Sequence, residues 1–87
     1  MTEKEVGVVT HFFDKISVAA INLTLDGLAV GDTVHIKGHT TDITSPVDSM
    51  RIDKDVVTQA KTGDAIGIKL ATGKARPGDK VFKVIAA

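Results

Sequence analysis

The chain has 87 residues, no cysteine, and eleven acidic against eleven basic residues for a net charge of zero. One small domain is expected, burying about 60–65% of the surface its unfolded chain would expose. Disulfides and thiolate chemistry are excluded. "MTEKEVGVV" lacks the apolar run of a signal peptide, and no stretch approaches the roughly 20 apolar residues of a membrane-spanning helix, so a soluble, cytoplasmic protein is expected. The Asn22-Leu23-Thr24 sequon then reads as chance.

Apolar residues fall in short runs, with turn residues every eight to twelve positions or so, the spacing of short strands in a sandwich or barrel. "EVGVVTHFF" (5–13) reads as a first strand, with Val6, Val8 and Thr10 on one face and Val9 and His11 on the other. Asp14-Lys15 is the hairpin turn, and "ISVAAINLT" (16–24) returns. "LDGL" (25–28) and "AVGD" (29–32) are turns. "TVHIKG" (33–38) is a strand with Val34 and Ile36 inward.

Residues 39–53 are the most polar part. Pro46 cannot donate to a central ladder, which makes this an edge strand or a loop entering one. Residues 54–64 have room for one helical turn around Val56–Ala60. "AIGIKLA" (65–71) puts Ile66, Ile68 and Leu70 inward and Gly67 and Lys69 outward. Residues 72–79 are a loop, and "KVFKVIAA" (80–87) is the closing strand. With no helices to cover them, these strands must bury their apolar faces against one another, and closure removes exposed edges. The expected fold is all-β: a small closed antiparallel barrel of six or seven strands.

Gly-Asp occurs three times, at Gly31-Asp32, Gly63-Asp64 and Gly78-Asp79. Glycine permits a positive backbone angle, and the aspartate can bond a backbone N–H one or two residues on. The pairs therefore read as structural turns leading into strands.

Charge is uneven along the chain. Residues 1–58 hold five Lys/Arg against nine Asp/Glu, giving −4; residues 59–87 hold six against two, giving +4. Lys69, Lys74, Arg76, Lys80 and Lys83 are the candidate phosphate or RNA contacts, with Arg51 and Lys54 secondary. Three Phe and no Tyr or Trp argue against a base-stacking platform, so any RNA contact would run through backbone and shape.

Other chemistries find little support. "TGKA" lacks the first glycine of a phosphate loop (the position is Ile68) and has no helix after it. His35 and His39 sit four apart, with Asp42 following, but no further strong ligand is fixed nearby, and two surface histidines near a strand end is the simpler reading. No serine occupies a nucleophile elbow. Asp53 and Asp55 read as solvated charge. No catalytic residue, metal or cofactor is expected.

The run 47–84 resembles the second domain of translational GTPases of the elongation factor Tu type. Val47, Ser49, Met50, Ala60, Gly63-Asp64, Ile66-Gly67-Ile68 and Gly78-Asp79-Lys80-Val81 carry the likeness. The front half, with its "L-x-V-G-D-x-V-x-I-x-G" phrase, is similar too. A related barrel is appended to the C-terminus of collagenase-like peptidase proteins. The resemblance implies a translation-protein barrel, here without a GTPase domain, that docks on tRNA, ribosomal RNA or a translation-linked protein. The alternative is a protein-interaction or oligomerisation barrel without RNA binding, accessory to a larger enzyme, with 39–50 offering an edge for strand addition.

Overall fold

A computed structural model describes residues 2–53, 55–70 and 73–85. Among these the structure is all-β, with ten strands: β1 (Thr2–Phe13), β2 (Val18–Leu23), β3 (Leu28–Ala29), β4 (Thr33–Lys37), β5 (Asp42–Pro46), β6 (Met50–Ile52), β7 (Asp55–Val57), β8 (Gln59–Ala60), β9 (Ala65–Lys69) and β10 (Lys80–Ile85). The count exceeds six or seven because β3, β6, β7 and β8 are two or three residues long, too short to show the alternation that marks a strand in sequence. The stretch around Val56–Ala60, which has room for one helical turn, instead contributes to β7 and β8.

Eight strands form one sheet in the order β5-β4-β10-β1-β2-β9-β6-β7, and β3 pairs with β8 in a separate ribbon. All the ladders are antiparallel. The expected closure does not occur: β5 and β7 are edges with no ladder between them. The physical obstacles are local. Pro46 in β5 has no N–H to offer a further strand, and β7 is three residues long. Individual bonds extend the β4–β5 and β3–β8 ladders beyond their strands. Gly31 N–H donates to Val47 O and Val47 N–H to Asp32 O, at 2.9 and 2.8 Å, and Val30 N–H donates to Thr58 O at 2.9 Å. Pro46 does lie on an edge strand, as its missing donor predicts.

The sheet curls around one core. Ala19, Ile21 and Leu23 of β2, Val34 and Ile36 of β4, Ile66 and Ile68 of β9, Met50 of β6 and Val81 of β10 are all buried. Each fully buried aliphatic side chain contributes about 1.5–3 kcal/mol. The inward assignments for β4 and β9 hold. The division of β1 into two faces does not, because two bulges interrupt its alternation, between Glu5 and Gly7 against β10 and between Val9 and His11 against β2. Val6 and Val9 are buried while Val8 is only half-buried. An inserted residue shifts which side chains face inward. At Gly7 the two backbones come so close that a Cβ would stand 2.0 Å from Asn22 O.

The three Gly-Asp pairs share one geometry. Gly31, Gly63 and Gly78 have φ of 101°, 99° and 94°. Each aspartate reaches back three residues, not forward. Asp32 Oδ2 accepts from Ala29 N–H at 2.9 Å, Asp64 Oδ2 from Lys61 N–H at 3.0 Å, and Asp79 Oδ2 from Arg76 N–H at 2.8 Å. The aspartate N–H groups donate to the carbonyls of those same three residues. The side chain thus fastens the turn from its far end, and β4, β9 and β10 begin at or just after it.

Candidate functional site

Register distributes the basic residues over separate parts of the sheet. Lys80 and Lys37 are partners on β10 and β4, next to Phe82, and Lys37 Nζ stands 5.9 Å from the Phe82 ring centroid. Lys83 lies at the end of the inner face, 3.8 Å from Asp26 Oδ2, which Lys4 also reaches at 3.0 Å. Lys74 is turned toward Asp14 at 3.9 Å. Arg76 is exposed in the loop before β10, its N–H tied to Asp79. Lys54 falls outside the described residues. Among the described candidates only Arg51 and Lys69 are brought together: Arg51 of β6 is opposite Gly67 of β9, and Lys69 lies two residues beyond on the same face. Such diagonal neighbours stand about 7–8 Å apart. Neither forms an ion pair with any described residue.

These two cations border a groove of about 620 Å³ on the outer face of β2, β9 and β6. Its floor is made of small residues, Ala20, Gly67 and Ala65. Phe13, Ile16 and Val18 wall one end, and Asp53 stands at the other. Phe13 and Ile16 are 46% and 58% exposed, and the His11 ring meets Phe13 edge-on with centroids 4.4 Å apart. Sequence reasoning named both cations but assigned Phe13 and Ile16 to the first hairpin alone. The signal it passed over is the run of small outward residues at Ala65 and Gly67, beside outward Ala20.

A second cluster lies across the sheet. His35 of β4 is held between two carboxylates: Nδ1 is 2.5 Å from Glu3 Oε2, and Nε2 meets Asp42 Oδ1. The imidazole is largely covered, with 15% of its side chain exposed. Asp42 and then Glu3 hold its pKa above the ordinary 6.5, against an opposing effect of burial. The same bond lowers Asp42 from 3.8. With both ring nitrogens occupied, His35 is a cross-strand tie and not the surface histidine expected beside His39, which lies exposed beyond the end of β4.

No protein-family model matches the chain. An uncharacterized protease of Methanocaldococcus jannaschii is 43% identical over 79 residues, which is 90% of this chain and 19% of that protein. The chain thus spans about a fifth of the length of the curated relative it matches. Among solved structures, the C-terminal domain of a Geobacillus thermoleovorans protein assigned to the U32 peptidases superposes with a TM-score of 0.85 at 14% identity, covering 94% of this chain and 93% of that one. The selenomethionine form of the same domain gives 0.81 at 14% identity, covering 90% and 96%. These two establish a shared fold.

The findings agree with the likeness to the appended barrel of collagenase-like peptidase proteins. They overturn the translation reading: the relatives are a protease and U32 peptidase C-terminal domains, not elongation factors. The expectation of RNA binding falls with it. Of the described candidate cations, Lys83 and Lys74 are drawn toward Asp26 and Asp14, while Arg51 and Lys69 stand as neighbours.

Proposed function

We propose that this chain is a non-catalytic accessory module that works with a U32-type peptidase. The observation that carries the reading is the 43% identity over 90% of this chain, confined to 19% of a protease. A segment so small a part of the relative leaves ample chain there for the catalytic apparatus. The fold shared with U32 peptidase C-terminal domains supports the same reading. So does His35, the best covered imidazole, whose two nitrogens are engaged by Glu3 and Asp42 and so not free to activate a nucleophile.

The test pairs the purified chain with a U32-type peptidase lacking its own C-terminal domain. The chain alone should hydrolyse no fluorogenic peptide, and adding it should form a complex on size exclusion and raise the truncated enzyme's turnover or substrate affinity. Hydrolysis by the chain alone that a single substitution abolishes would overturn the non-catalytic part. Absence of both complex and effect would overturn the accessory part.

A further inference from the structure

The groove between Arg51, Lys69 and Phe13 is formed by strands joined in continuous ladders, so its chemistry is set by register. Across the sheet, Phe13 is opposite Val18 and Val18 opposite Lys69. One row over, His11 is opposite Ala20, Ala20 opposite Gly67, and Gly67 opposite Arg51. An apolar end, a floor of small residues and two cations with no carboxylate partner among the described residues therefore lie side by side. A Cβ on Gly67 would come within 3.3 Å of Val18 Cγ1, so the floor is open because this position is glycine.

We propose that this face docks an extended peptide segment that carries an apolar side chain and a carboxylate two residues apart. In an extended chain, residues i and i+2 point the same way, so both side chains enter together. The apolar one lies against Phe13 and Ile16. The carboxylate lies over Gly67, between Arg51 and Lys69, where a bidentate guanidinium contact is available. Asp53 at the far end repels a second acidic residue and fixes the direction of the segment. A polyanion fits poorly, because its charges would run against Phe13, Ile16 and Asp53. The proposal deepens the accessory-module reading by naming the chemistry of the partner's segment. Synthetic peptides test it without any peptidase, so either can fail while the other stands.

The experiment titrates the ¹⁵N-labelled full chain with capped heptapeptides holding one Leu or Phe and one Glu two positions apart. A Glu→Gln series and a uridine decanucleotide serve for comparison. Amide shifts should concentrate at Ala20, Gly67 and Lys69. Lys69→Glu and Arg51→Glu should each weaken binding at least tenfold, as should the Glu→Gln peptides, while Lys80→Glu leaves it unchanged. Phe13→Ala, an exposed position, should weaken the Leu and Phe peptides with native amide dispersion retained. The proposal is overturned if no peptide shifts these amides, if the charge reversals bind as tightly as wild type, or if the oligonucleotide binds there more tightly than the peptides.

Discussion

Glu3 Oε2 lies 2.5 Å from His35 Nδ1, although the two residues sit on β1 and β4, separated in the sheet by β10. The other ring nitrogen faces Asp42 on the edge strand β5. A neutral imidazole has one N–H and can satisfy one carboxylate; an imidazolium satisfies both. His35 is raised above 6.5, so the stability it contributes is complete below 6.5 and is lost as pH rises through its native value. Asp42 is lowered from 3.8, so its contribution is complete above 3.8 and is lost as pH falls through its native value. Urea midpoints should be highest between these two values and decline on either side. His35→Gln should flatten the alkaline decline. An NMR titration placing His35 at or below 6.5, or an unchanged slope in the variant, would contradict this.

Two glycines separate steric from conformational cost. Gly7→Ala would place a methyl 2.0 Å from the Asn22 carbonyl oxygen, and relief requires opening the β1–β2 ladder. We expect a loss of about 3 kcal/mol or outright unfolding. Gly31 has φ of 101° but nothing within 4 Å of a new Cβ. Gly31→Ala should cost only the strained backbone angle, about 1 kcal/mol. Equal losses on urea unfolding would refute the distinction.

The repeated Gly-Asp turn allows one hydrogen bond to be removed at different depths. Asp79 is 6% exposed, while Asp32 and Asp64 are half-buried. Asp79→Ala should cost about 1–3 kcal/mol, since it removes the most buried of the three carboxylates and leaves the part-buried Arg76 backbone N–H without its acceptor, and the other two about 0.5–1.5 kcal/mol. Asp→Asn keeps a side-chain oxygen and should recover part of each loss. Denaturation that ranks Asp79→Ala as the mildest would show that the bond is not what holds the turn.

Met50 is fully buried on three-residue β6, opposite Ile68 on one side and Val57 on the other. Met50→Ala should cost about 2–5 kcal/mol through the cavity it leaves, whereas Met50→Leu should cost less than about 1.5 kcal/mol. Because β6 also carries Arg51, Met50→Ala should release the amide protons of 50–52 to exchange before those of β1. Uniform exchange across the sheet would argue against local anchoring by Met50.

Long strands with clear alternation were readable from sequence. Val34 and Ile36, and Ile66, Ile68 and Leu70, face inward as their spacing predicts. The bulges in β1 were not, because an inserted residue leaves no compositional mark in a valine-rich run such as "VGVV". Pro46 announced its edge through a missing donor, but whether the two edges meet depends on how far the sheet curls, which no local pattern records. Among the candidate contacts, Arg51 and Lys69 are 18 positions apart, and only the pairing of Arg51 with Gly67 makes them neighbours. Lys83 is drawn inward by Asp26, which sequence distance conceals.

The pairing of Thr2 with Ile85 joins nearly the two ends of the described chain, and β10 lies between β4 and β1. Without β10 the facing edges of those two strands are bare. The β1–β10 ladder joins residues far apart in sequence, so a large loop entropy opposes its contacts as they form. The expected kinetics are those of a slow, high-contact-order β protein, with two bare edges exposed until β10 pairs.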